Sequence, residues 1–173
     1  MQRDDRTIQA VLFDLDGTLI DSIDHIVDCW QYAVRTVLGY EITREEVLPT
    51  IGRHLLTCFE EIAPGRSEEL YDVYREYEAA AHDSRIKLVP GTREALIGLK
   101  QMQVRVGLVT SKGLEIANRG LGLFNLGGYF DTLVTREDTE RHKPYPDPLL
   151  VGAQRLGVAP ERTIYVGDSS VDV

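Results

Sequence analysis

Short apolar runs and amphipathic helices alternate along most of this chain, and that alternation leaves few folds open. Four runs read as strands: Ile8–Phe13, interrupted only by Gln9, then Val104–Val109, Thr132–Thr135 and Thr163–Val166. Helical patterns separate them. One starts at Pro90-Gly91-Thr92 and runs to about Met102, and one follows Thr110-Ser111-Lys112-Gly113. Another starts at Pro146-Asp147-Pro148, with Asp147 expected as its cap and Pro148 at its first position. Strands separated by helices pair in parallel through right-handed crossovers, with helices on both faces. The expected fold class is therefore α/β with an open parallel sheet.

The interval between the first two strands breaks the pattern. Ser22 is placed to cap a helix that runs to Leu38 and stops at Gly39, with Ile23, Ile26, Val27, Trp30, Val34 and Val37 on one stripe. Thr43 and Glu46 form a capping-box pattern for a short helix ending near Pro49. A helix over His54–Ile62 follows, and Pro64-Gly65 breaks the chain. Ser67 opens a longer helix to about His82, with Leu70, Tyr71, Tyr74 and Tyr77 on one side, a stripe that reads as helix packing. So long a helical stretch exceeds a plain crossover and reads as an inserted helical domain. The boundaries drawn are residues 1–20 and 86–173 for the α/β core and 21–85 for the insertion.

Composition narrows the function. The chain has 173 residues, a net charge of −9 and a sequence pI near 4.9. An acidic balance argues against binding nucleic acid or an anionic membrane surface. It leaves room for a small phosphorylated substrate, because a bound divalent cation reverses the sign of one cleft. The two cysteines, Cys29 and Cys58, form no metal-ligand spacing and read as reduced, buried thiols. The first residues lack a signal-peptide pattern and no apolar run is long enough for a bilayer, so a cytoplasmic location is expected.

Polar clusters sit at the C-terminal ends of the four strands: Asp14 with Asp16, Thr110 with Ser111, the segment carrying Lys143, and Asp168 with Asp172. Ligands of open α/β sheets bind at those strand ends, so residues far apart in sequence are expected to converge. The residue types then suggest a chemistry. Asp14 and Asp168 are hard oxygen donors suited to Mg²⁺, and a cation offsets the repulsion between the carboxylates and a phosphate dianion. An Asp can attack phosphorus as a covalent nucleophile. Asp16 can protonate the leaving oxygen and later activate water. Lys143 can hold charge on the transferred group. The Thr110 hydroxyl and the Ser111 N–H can bind its oxygens beside a helix N-terminus.

These segments resemble the motifs of the haloacid dehalogenase-like hydrolases, in the branch of phosphoglycolate phosphatases and pyrophosphatases. Val11-Leu-Phe-Asp-Leu-Asp-Gly-Thr-Leu-Ile-Asp-Ser looks like the first motif and Val109-Thr110-Ser111-Lys112 like the second. Lys143-Pro-Tyr-Pro-Asp-Pro looks like the third and Val166-Gly-Asp-Ser-Ser-Val-Asp172 like the fourth. The resemblance implies a Rossmann-like core with a helical cap inserted after the first motif. It implies Asp14 as nucleophile, Asp16 as acid/base, and Mg²⁺ on Asp14, Asp168 and the Asp16 backbone carbonyl with Asp172 supporting the metal shell. It also points to Arg53, beside Gly52 in the cap, as a forked grip for a second anionic group, with Lys112 as a candidate of the same kind. The implied function is Mg²⁺-dependent hydrolysis of a small phosphomonoester such as phosphoglycolate, or of pyrophosphate, through an aspartyl phosphate. A phosphosugar mutase is the alternative within the same family. The pattern of the family continues past the fourth motif with a helix, a strand and a last helix, whereas this sequence ends at Val173. A sheet without that strand, with Thr163–Val166 at its edge, is therefore expected, and with it a truncated chain that is either an enzyme or a non-catalytic fragment. Such an edge also offers a surface for a homodimer.

Overall fold

The computed structural model describes residues 7–172; Met1–Arg6 and Val173, assigned above to the core, lie outside the described residues. Four parallel strands form the central sheet: β1 (Ala10–Phe13), β4 (Arg105–Val109), β5 (Thr132–Val134) and β6 (Thr163–Val166), in the order β5-β4-β1-β6. Ala10 pairs with Arg105 on one side and Thr163 on the other, which puts β1 in the centre. Its four residues are all buried, as expected of a parallel strand covered on both faces.

Alternation along β1 sends its side chains to two apolar layers. Val11 and Phe13 pack with Val106, Leu108 and the helices α5 (Thr92–Gln101) and α6 (Leu114–Leu123). Ala10 and Leu12 pack with Val109, Val134 and Leu156 of α7 (Asp147–Leu156). At the β6 edge, Ile164 and Val166 remain exposed.

Between β1 and β4 lie the helices α1 (Ile23–Leu38), α2 (Arg44–Val47), α3 (Leu55–Ile62) and α4 (Ser67–Arg85). They form the helical cap around an apolar centre of their own, where the Trp30 and Phe59 rings meet at 4.4 Å beside Val34, Leu70 and Tyr74. Cys29 and Cys58 are both buried and unbridged there. The Thr43–Glu46 capping box is present, and Gly39 ends α1 in the left-handed conformation. A two-residue antiparallel pair, β2 (Ile20–Asp21) with β3 (Lys87–Leu88), ties together the exit from the core and the return to it. Among the described residues, no helix is long and apolar enough to cross a membrane.

Local expectations shift in several places. Ser22 precedes α1 as expected, but its hydroxyl bonds the Asp16 carboxylate and makes no cap bond to the helix. The side chain thus serves the strand-end cluster. Asp147 is the first residue of α7, with Pro146 at the cap position and Pro148 second, because the Asp147 carboxylate pairs with Arg141. β1 starts at Ala10, two residues after the expected start. Thr135 leaves β5 to exchange hydrogen bonds with Asp138 around a 3-10 turn, Arg136–Asp138.

Candidate active site

The main chain of β1 runs on by one bond, Asp14 N–H to Val166 O at 2.9 Å, and then turns. Gly17 makes the turn possible. Its φ of +78° suits glycine, and a Cβ there would meet Asp168 Oδ2 at 2.1 Å. Asp14 and Asp16 therefore stand beside the end of β6, and the expected strand-end clusters come together.

Lys143 links two of them. Its Nζ lies 2.9 Å from Asp14 Oδ2 and donates to Asp172 Oδ1 at 2.8 Å. It also donates to the Tyr165 hydroxyl at 3.0 Å, and that hydroxyl donates to Asp172. The other Asp172 oxygen accepts from the Ser169 N–H and hydroxyl. Thr18 donates to Asp168 at 3.1 Å. Carboxylate oxygens of Asp14, Asp168 and Asp172 lie within 4.8 Å of one another. Burial pushes the Asp14 carboxyl up to about 7; Lys143 opposes this, and Asp16 and Asp172 add to it. Burial also raises Asp168, whereas Lys143 and Ser169 outweigh burial and hold Asp172 low. This corner holds an excess of negative charge with three hard oxygen donors, which fits a divalent cation.

A second chain of charges starts at Asp16. Its Oδ1 accepts from Ser22 and lies 3.4 Å from Lys112 Nζ. Lys112 donates to Glu78 of α4 at 2.9 Å, and Glu78 accepts from Arg75 at 2.7 Å. Glu78 is 2% exposed; burial alone would raise its pKa, but Lys112 and Arg75 bring it below the ordinary range. Acid–base pairs of this kind hold only when each charge keeps its partner.

The remaining expected residues divide. Thr110 is buried, and its hydroxyl accepts from the Lys112 N–H at 3.2 Å. The Ser111 hydroxyl donates to Gly52 O of the cap at 2.6 Å, so it fastens the cap loop. Gly52 has φ +85°, and a Cβ there would meet Ser169 Oγ at 2.7 Å, which brings this loop hard against the core. Arg53 faces the same pocket as Asp14 and Asp16 and pairs with Glu61 at 2.5 Å. Arg75, Glu78, Tyr71, Arg136 and Tyr165 were not foreseen. Tyr71 and Tyr74 pack in the apolar centre of the cap as expected, and both also line the pocket. Local spacing could have paired only Arg75 with Glu78, one helical turn apart; the contacts of Glu78 with Lys112, Arg136 with Tyr71 and Tyr165 with Lys143 join segments distant in sequence.

Another cap–core contact carries pH sensitivity. His54 of the cap stacks on His142 of the core at 4.1 Å. Burial, then His142 and Arg136, lowers the His54 pKa from 6.5 to about 4, and burial and Arg136 also lower that of His142. A histidine held neutral by the fold takes up protons more readily when unfolded, so stability rises with pH between the two values. Acidification from pH 6.5 to 4 is expected to lower the melting temperature, and His54→Gln should flatten that dependence; an unchanged slope in the variant would place its source elsewhere.

The pattern of the Haloacid dehalogenase-like hydrolase family matches residues 11–173. A PpaX protein of Caldanaerobacter subterraneus is 43% identical over 166 residues, covering 96% of this chain and 76% of that protein. Pyrophosphatase PpaX of Bacillus cereus is 37% identical, covering 96% of this chain and 77% of that protein. Among solved structures, a haloacid dehalogenase-like hydrolase from Bacteroides fragilis superimposes with a TM-score of 0.89 at 29% identity, over 96% of this chain and 81% of that one. Sequence pattern, relatives and fold agree with the strand-end carboxylates, and the chain belongs to the haloacid dehalogenase-like hydrolase family.

Proposed function

We propose that this hydrolase cleaves pyrophosphate or a small phosphomonoester with Asp14 as nucleophile. The observation that carries the reading is Lys143, set between Asp14 and Asp172 at 2.9 and 2.8 Å, beside three carboxylates that fit Mg²⁺. An Asp14 oxygen bonds to phosphorus as the bond to the leaving oxygen breaks, giving an aspartyl phosphate. Asp16, held by Ser22 and Lys112, gives a proton to the leaving oxygen. It then takes one from the water that releases phosphate and restores Asp14. Lys143 and the Thr110 hydroxyl stabilise charge on the transferred group. Asp14, Asp168 and the Asp16 carbonyl would hold Mg²⁺, with Asp172 behind them. Bound there, the ion supplies charge neutralisation for the approach of a phosphate to these carboxylates.

Two observations support this choice of substrate. The curated relatives carry the name pyrophosphatase, and the pocket that holds Asp14 and Asp16 is lined by cations, Arg53 and Lys112 among them, which suits a second anionic group. Phosphate release from pyrophosphate and from phosphoglycolate, with and without Mg²⁺, tests the reading. Mg²⁺-dependent release from pyrophosphate is expected. Folded protein with no release from either would refute it. Gly17→Ala, which pushes on Asp168, is expected to weaken Mg²⁺ activation by about 10- to 100-fold. A Mg²⁺ titration of the rate measures this, and an unshifted midpoint would remove Asp168 from the metal site.

A further inference from the structure

The pocket between cap and core is lined by four cations, Arg53, Arg75, Lys112 and Arg136, against the carboxylates of Asp14, Asp16 and Glu78. In a chain of net charge −9, that is a concentration of cations. The four are not equally committed. Lys112 and Arg75 share the buried Glu78, and Arg53 pairs with Glu61. Arg136 follows β5 in the core and spends its NH1 on a neutral partner, the Tyr71 hydroxyl of α4, at 2.6 Å. Its guanidinium carbon lies 5.1 Å from the centre of the same ring. NH2 reaches Glu137 at 3.2 Å. The side chain is 23% exposed and its partner Glu137, like the Glu61 partner of Arg53, is half exposed; what sets Arg136 apart is the Tyr71 hydroxyl that aims it.

We propose that Arg136, aimed by Tyr71, is the specificity-determining contact for an anionic leaving group, the second phosphoryl group of a diphosphate. The inference rests on the hydrolase reading and adds to it the residue that separates diphosphates from esters whose leaving side is uncharged in the bound substrate. A planar guanidinium with a hydrogen-bonded edge matches a phosphate by paired contacts. Because Tyr71 belongs to the cap and Arg136 to the core, the contact is complete only while the two are closed on each other. Arg136 meets the group that departs, whereas Lys143 and Thr110 meet the group transferred to Asp14.

The test compares the parent chain, Arg136→Gln and Tyr71→Phe on pyrophosphate and on 4-nitrophenyl phosphate, whose leaving side carries no charge in the bound substrate and departs as 4-nitrophenolate. Arg136→Gln is expected to lower kcat/KM for pyrophosphate by about 10- to 100-fold, chiefly through KM, and to change the aryl ester by under about 3-fold. Tyr71→Phe, which keeps the ring, should lose about 2- to 10-fold on pyrophosphate alone, and it serves if Arg136→Gln does not fold. Equal losses on both substrates would make the pair a cap–core fastener and overturn the inference, as would no loss on pyrophosphate. Calorimetric binding of methylenediphosphonate and of orthophosphate to the Mg²⁺-loaded chain separates the two readings. A chain without turnover that prefers the diphosphonate, and loses the preference in Arg136→Gln, keeps the subsite while the hydrolase reading falls. No preference in the parent, or its survival in the variant, overturns the subsite.

Discussion

Asp14→Asn is expected to lower Mg²⁺-dependent phosphate release by about 10⁴-fold or more, the scale seen when a covalent nucleophile is removed. The amide has nearly the shape of the carboxylate but is too weak a nucleophile to form the phosphoryl-enzyme. The fold should survive. Lys143 keeps Asp172 and the Tyr165 hydroxyl as partners, and the variant removes a carboxyl that burial already pushes up to about 7. Phosphate release by a stopped assay, beside a melting curve, gives both readings. Activity within tenfold of the parent in a folded variant would end the assignment of Asp14 as nucleophile.

Lys143→Met is expected to give the largest loss of stability. The Lys143 side chain is 2% exposed and touches Asp14, Asp172 and Tyr165, so its removal leaves two buried carboxylates without their cation. Breaking a buried pair in this way costs about 3–5 kcal/mol, or about 6–20 °C in melting temperature for a chain of this size. The sign of the pH dependence follows from Asp14, whose pKa stands above its ordinary value and would climb further without Lys143. A carboxyl raised by the fold holds its proton more tightly when folded, so stability falls as pH rises through the shifted value. The metal-free variant should be hurt more at pH 8 than at pH 5, and Mg²⁺ should recover part of the loss at pH 8. Melting curves at both pH values, with and without Mg²⁺, decide this. Equal penalties at both would mean that crowded carboxylates are not the cause. Turnover should also fall by about 10²- to 10³-fold, as when one preorganised charge is removed from a transition state.

The sheet was legible because its strands announce themselves locally. A fully apolar run such as Ala10–Phe13, ending in Asp-Leu-Asp-Gly, has one easy reading. Caps with their own chemistry were equally plain, as at Thr43–Glu46 and Gly39. Side chains with two possible partners were not. Ser22 looks like a helix cap until the turn at Gly17 brings Asp16 within its reach, and Asp147 looks like one until Arg141 claims its carboxylate. Two-residue strands such as β2 and β3 are too short to show a period. The strand-end residues could be placed because parallel topology dictates where strands end. The walls of the pocket could not. Arg136 meets Tyr71, and Lys112 meets Glu78, only after the cap has folded over the sheet, and no interval in the sequence records that meeting.

The cap's separate apolar centre has a further consequence. Trp30, Phe59 and Tyr74 are buried against one another and not against the layers that flank β1, so helices α1 and α4 keep their shape through contacts of their own. A change at Thr50, Arg53 or Tyr71, though not at Gly52, which lies against Ser169, can then redraw what the pocket admits while Asp14 and Lys143 stay held by the core. The cap's share of substrate selection and the cleavage of the bond then fall on different parts of the molecule, so a few substitutions in the cap can change the client of an old reaction while Arg136 and the strand-end residues of the core stay as they are.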